Sequence, residues 1–175
     1  MPQDRLPSSL PDKARQLVET LRLAPHPEGG FFRETYRAPL QLAGQALAPT
    51  FSGARDAATA IYYLLAAGDR SRFHRIRSDE VWHFYLGDPL QVIELTEAGT
   101  AQVTTLGIDF AAGQAPQHVV PAGRWFGACP APGSSFSLVG CTVAPGFDFA
   151  DFEMATADAL TKAFPQAQDW IMRLT

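Results

Sequence analysis

Cysteine is nearly absent. Cys129 and Cys141 are the only two in 175 residues, too few for a framework of disulfides to hold the fold. The runs that carry them flank a Pro-Ala-Pro-Gly turn at 130–133, which is expected to fold them into a hairpin with Cys129 opposite about position 135. The two thiols should therefore not meet, and both are expected to be reduced core residues. No apolar run is long enough to span a membrane. The opening stretch, MPQDRLPSSLPDK, lacks the apolar core of a signal peptide, so a cytoplasmic location is expected. Positive charge is also short: the net charge is −4 and the pI about 5.5, which argues against nucleic acid as a partner. There is no internal repeat, low-complexity tract or compositional break. One domain over 1–175 is expected, long enough to bury a full core.

What is present is a succession of short strand patterns. Ser9 with Asp12 three residues on reads as a capping box, and Leu10, Ala14, Leu17, Val18 and Leu21 follow at helical spacing. This predicts a helix over about 9–23, ended by Pro25. A turn at 26–30 (His-Pro-Glu-Gly-Gly) precedes an alternating strand, Phe31–Arg37. Residues 38–55 read as a long loop. Strands are expected at 58–65, 81–86, 90–96, 101–106, 117–120, 124–129 and 135–143, the last three bounded by Pro or Gly. No helical pattern falls between them, which predicts an all-β sandwich or barrel over about 31–153. The final segment changes character, with short helices expected at 156–164 and 166–173 on either side of Pro165.

One stretch organises the rest: Gly68, five residues, His74, one residue, Ile76, three residues, Glu80, six residues, Gly87. This spacing resembles the first motif of the cupin superfamily, in which a His-x-His pair and a Glu supply three of four metal ligands. Here Ile76 stands in place of the second His. A second motif is similar around Pro121-Ala122-Gly123, but Phe126 occupies its His position and Pro130 its Asn position. Further stretches resemble an uncharacterised branch of the superfamily called cupin-5: HPEGG at 26–30, IYYLL at 61–65, DEVWHFYLGDP at 79–89, VPAGRWFGA at 120–128 and LVGCTVAPGFDFADFE at 138–153. The resemblance implies a cupin jelly-roll barrel with a central cavity, usually dimeric, and carries no assigned activity. It also implies that two of the four usual ligands are apolar, so no cofactor is expected beyond a weak divalent site at His74 and Glu80.

The motif positions of His74 and Glu80 point into the barrel, which makes them a candidate acid–base pair. Alternation along 80–85 places Glu80, Trp82 and Phe84 on one face and His83 and Tyr85 on the other. By the same rule Arg72 should face inward with His74 and hold an anionic group at the rim. Tyr63, Trp82 and Trp125 offer aromatic surface, Glu28 sits in a glycine-rich lip, and Asp148 is a carboxylate placed to reach back to the cavity. By analogy with metal-free sugar-nucleotide epimerases of the superfamily, His74 would serve as base, Glu80 would orient it and Tyr63 would serve as acid. The expected function is an epimerase or isomerase acting on a small anionic, sugar-like ligand. A non-catalytic ligand-binding protein and a divalent-metal enzyme stay open beside it. A homodimer is expected, because apolar strands outnumber what one small barrel must bury and His83 and Tyr85 face away from the cavity.

Overall fold

The structure is a computed structural model and describes residues 10–175. Ser9, and with it the expected capping box, lies outside the described residues. Helix α1 spans Asp12–Thr20 with Pro11 at its N-cap and no capping side chain. Nine main strands follow: β1 (Phe31–Arg37), β2 (Thr59–Ala66), β3 (Ser71–Arg75), β4 (Asp79–Gly87), β5 (Leu90–Leu95), β6 (Ala101–Leu106), β7 (Gln117–Val120), β8 (Phe126–Pro130) and β9 (Phe136–Ala144). The chain closes with α2 (Ala157–Ala163) and α3 (Gln168–Leu174). Two-residue strands add to the edges, and within the expected loop 38–55 the pair Gln41–Leu42 and Arg55–Asp56 forms a small ribbon.

Two antiparallel sheets face each other. Sheet I runs β1-β2-β9-β4-β7, extended by Ala24–Pro25 beyond β1; sheet II runs β3-β8-β5-β6, extended by Glu153–Met154 beyond β3. This is a jelly roll, and the strand spacing in the sequence accounts for it. Period-2 alternation gives each sheet an inner and an outer face. Inner residues Tyr63, Leu65, Trp82, Val92, Val120, Phe126 and Val139 build the central core. The outer face of sheet II, with Phe73, Ile93, Leu95 and Cys129, is covered by Leu160, Ile171 and Leu174 of the C-terminal helices. Helix α1 covers only one end of sheet I, placing Leu10, Ala14 and Val18 against Phe31, Leu64 and Leu138.

The expected hairpin at 130–133 does not form. β8 pairs with β3 and β5 in sheet II, whereas β9 pairs with β2 and β4 in sheet I. The Pro-Ala-Pro-Gly segment is a crossover between layers, because β8 and β9 each bury residues against different partners. Both cysteines are buried and free: Cys129 packs outward toward the helices and Cys141 inward. No helix among the described residues is long and apolar enough to cross a membrane.

Candidate functional site

The site begins at the 26–30 turn. Gly29 and Gly30 have φ of 119° and 68°, the region that favours glycine. A side chain at Gly29 would run into the Arg70 carbonyl oxygen. Three hydrogen bonds stitch this turn to its neighbours. The Tyr63 hydroxyl donates to the Gly29 carbonyl at 2.7 Å, the Arg72 guanidinium to Pro27 O at 2.6 Å, and the Arg72 backbone N–H to Glu28 O at 3.2 Å. So held, the turn turns the Glu28 side chain into the barrel, where it is buried.

β3 delivers His74 to the same place. Phe126 is its partner on β8, but the next partnership is Ala128 with Ser71, so β3 carries one extra residue between them. That bulge lets Ser71 and His74 both face inward. The His74 ring lies 4.2 Å from the Phe126 ring, centroid to centroid. Its Nδ1 lies 2.7 Å from the Arg72 carbonyl oxygen and 2.6 Å from Glu28 Oε2. Neither oxygen can donate, so Nδ1 carries the proton, given to the Arg72 carbonyl with the Glu28 carboxylate beside it, and Nε2 is the nitrogen left for the cavity. His26 is arranged the opposite way. Its Nδ1 accepts the Glu28 backbone N–H at 3.3 Å and stands 3.3 Å from Glu28 Oε1, so the neutral ring carries its proton on Nε2.

The charges follow from these contacts. Burial alone would lower the His74 pKa, but the Glu28 carboxylate outweighs it and raises the value to about 9. Burial would raise Glu28, and the charge and hydrogen bond of His74 hold it below the usual carboxylate range. His26 is pulled down by burial and by the His74 charge, against the Glu28 carboxylate. Glu80, buried on β4 of the opposing sheet, is raised to about 7 by burial and by Glu28; His74 and the Cys141 thiol oppose this. At neutral pH the site therefore holds an imidazolium–carboxylate pair and a second carboxyl poised between its two forms.

These groups sit at the inner end of a cavity of about 240 Å³. Its walls are largely apolar: Phe32 and Ile61 from β1 and β2, Val143 and Cys141 from β9, and Phe147, Phe149 and Phe152 from the strap that follows β9. At the mouth stand Glu34, Arg37 and Asp148. Register shifts between Glu34 and Tyr36, which turns Arg37 rather than Tyr36 onto the cavity side.

The structure brings together His74, Glu80, Glu28 and, at the mouth, Asp148. It separates the others. Arg72 does not share the inward face of His74, because the β3 bulge breaks the alternation and its guanidinium is spent on Pro27 outside the barrel. Tyr63 is buried below the cavity with its hydroxyl committed to Gly29, and burial pushes its phenol well above the ordinary value. It fixes the turn and does not face a ligand. Trp82 packs in the core between Tyr63 and Phe126, with ring centroids 6.0 and 6.2 Å away. Trp125 lies on the outer side of sheet II with Arg75 over its ring at 4.5 Å. Glu28, not Glu80, orients His74. His26, Cys141, Arg37 and the strap phenylalanines are site residues that the sequence reading did not select. All but Arg37 lie in stretches that carry the family resemblance, His26 in HPEGG at 26–30 and the others in LVGCTVAPGFDFADFE at 138–153.

Among the described residues no group of three or more His, Cys, Asp or Glu side chains converges as a metal site would require. Phe126 fills the flank of His74.

Comparison with known proteins agrees with this architecture. An uncharacterised protein of Saccharomyces cerevisiae, YML079W, is 31% identical over 160 residues, covering 86% of this chain and 77% of its own. A hypothetical protein from Leishmania major superposes with a TM-score of 0.82 at 31% identity, over 93% of this chain and 98% of its own. Protein SO0799 from Shewanella oneidensis does so with a TM-score of 0.81 at 38% identity, over 93% and 96%. Oxalate decarboxylase of Bacillus subtilis shares the fold alone, at 13% identity and a TM-score of 0.51, over 86% of this chain and 37% of its own. The model of the family described as Cupin superfamily (DUF985), Cupin_5, matches residues 15–155, and the chain belongs to that family.

Proposed function

We propose that the protein is an isomerase that moves a proton on carbon next to a carbonyl in a small molecule, without a metal. The observation that carries this reading is the His74–Glu28 contact of 2.6 Å at the inner end of a cavity that Glu80 also lines. The sequence pattern favours His74 as base; the Glu28 contact reverses that assignment. An imidazolium paired with a carboxylate is a donor. Glu80, raised to about 7, is the base suited to neutral pH.

In the reaction Glu80 takes the proton from the α-carbon. The C–H electron pair forms the enolate double bond, and the carbonyl π pair moves onto oxygen. His74 Nε2–H stabilises that oxygen by hydrogen bond or by proton transfer. Glu80 then returns its proton to the carbon skeleton and His74 recovers its own, so no oxidant or reductant is needed. A single carboxylate favours a proton shift along one face. Epimerisation needs a donor on the other face, and Tyr63, the residue expected there, is held below the cavity.

The test is solvent deuterium exchange into the α-carbon of a bound carbonyl compound, followed by NMR. Glu80→Gln should lower the exchange rate by about 10² to 10⁴ with the fold retained. Binding with no exchange in the wild type would leave a ligand-binding protein in place of an enzyme.

A further inference from the structure

Resting on the proton-transfer reading of the same cavity, we infer that the site takes an uncharged carbonyl compound with an apolar or aryl face and excludes phosphates and carboxylates. This departs from the anionic ligand that the sequence suggests, and the reason lies in how the cations are used.

Arg37 is the one arginine among the described residues lining the cavity, and its donors are taken. Nε and Nη2 donate to the two oxygens of Glu34 at 2.9 and 2.6 Å. Nη1 donates to Asp56 at 2.7 Å, with the Phe147 carbonyl at 3.4 Å. Two carboxylates on one guanidinium leave that corner of the mouth negative. Asp148 adds a second negative group there, its Oδ1 accepting only the Ala150 N–H at 2.8 Å. At the inner end the His74 charge is matched by Glu28. His26 carries no proton on the nitrogen that faces Glu28. Four carboxyl groups line the cavity (Glu28, Glu34, Glu80 and Asp148) against two cations, His74 and Arg37.

An entering anion would lose its hydration and find no free cation to replace it. Arg72, which the sequence assigns to that role, is outside. A neutral molecule meets no such cost. Its apolar side finds Phe147, Phe149 and Phe152, whose ring centroids are 5.0 to 6.0 Å from one another, together with Phe32, Ile61 and Val143. The cavity's size suits a ligand no larger than a single aryl ring with a short side chain. The negative surroundings also keep Glu80 basic, while the substrate acquires charge only as the enolate forms against the imidazolium.

Benzylacetone and benzylpyruvate test this as a pair. They share the ring, the chain and the ketone, and differ in a methyl group replaced by a carboxylate. Calorimetric titration of the full-length protein should show benzylacetone bound at least about 10-fold more tightly. Asp148→Asn keeps the backbone cap and removes a charge from the mouth, so it should narrow the gap. Equal or tighter binding of benzylpyruvate overturns the inference, as does failure of benzylacetone to bind. Deuterium exchange in the same samples separates this idea from the one beneath it. Benzylacetone that binds without exchanging its α-protons upholds the ligand class and sinks the proton-transfer reading. Benzylpyruvate that binds more tightly and exchanges does the reverse.

Discussion

Glu28 sets the protonation of its neighbours. Gln at this position keeps the side-chain length and removes the charge, leaving burial, which lowers an imidazole, opposed only by Glu80 and the Arg72 carbonyl. In Glu28→Gln the His74 ring titration, read by NMR, should fall from about 9; an unchanged value would show that some other group holds it. Stability follows with a defined sign. His74 binds its proton more tightly folded than unfolded, so its contribution is complete below pH 6.5 and is lost as pH rises through about 9. Glu80, raised from 4.5 to about 7, acts in the same direction at lower pH. Glu28 is lowered, and its contribution is lost as pH falls through its folded value. Above pH 7, where the lowered His26 and His83 no longer titrate, thermal midpoints should therefore decline up to pH 9.5, and Glu28→Gln should flatten that decline. Parallel profiles would refute this. The same pairing leads us to expect well below one equivalent of zinc, iron, manganese or nickel in protein purified without chelator. Stoichiometric metal that survives dialysis would overturn the assignment of His74 as an imidazolium. At this scale the sequence shows His74 and Glu80, because both lie inside one spaced motif. It shows Glu28 as part of a glycine-rich pocket lip that could touch a ligand, and not as the partner of His74. The contact joining Glu28 to His74 crosses from a loop to a distant strand, and no spacing rule spans that.

Elements repeat the lesson through irregular backbone. Plain alternation carried along β3 puts Arg72 in the cavity; one extra residue between Ser71 and His74 puts it outside. The register shift in β1 exchanges Tyr36 for Arg37 in the same way. Strand positions are legible because Gly and Pro bound them, but bulges leave no mark in a period-2 pattern. The strap after β9 shows a further limit. Its FDFADFE run reads as a strand or a surface turn, yet Asp151 is buried and paired with Arg55, Nε to Oδ2 at 2.7 Å and Nη2 to Oδ1 at 2.8 Å. This bidentate pair ties the phenylalanine strap to the 38–56 segment. Breaking a buried pair by removing one partner costs about 3–5 kcal/mol, so Asp151→Ala should lower stability on that scale in denaturant unfolding. Amides of 146–153 should also exchange faster in native-state hydrogen exchange. A loss spread evenly over the chain, with no extra exposure of the strap, would mean that the pair supports the barrel as a whole and does not hold the cavity wall.

The whole molecule is closed on one side and open on the other. Sheet II has its outer face under α2 and α3, whereas α1 reaches only one end of sheet I. The uncovered part presents the outward set of β4 with its neighbours: His83, bonded to Thr142 at 3.1 Å and Gln117 at 3.2 Å, Tyr85 stacked near it at 6.4 Å, Tyr62 at 5.9 Å from Tyr85, and Val119. Tyr85 and Val119 are 50% and 47% exposed. Alternation predicts this face, since His83 and Tyr85 fall opposite Glu80 and Trp82; what the sequence leaves unsaid is that no helix among the described residues comes back to cover it. Aromatic and β-branched side chains held in fixed positions on a flat sheet suit a symmetric contact, in which the same patch serves both partners. We propose that two copies pair through it, leaving both cavity mouths free because the mouths open at Glu34 and Arg37 of β1 and Asp148 of the strap. Sedimentation equilibrium at micromolar concentration should return twice the 19.0 kDa chain mass. Tyr85→Glu, which places a charge in the middle of the patch, should shift the protein to monomer while leaving ligand binding intact. A wild-type protein that sediments at 19.0 kDa, or a Tyr85→Glu variant that stays dimeric, removes this face from consideration.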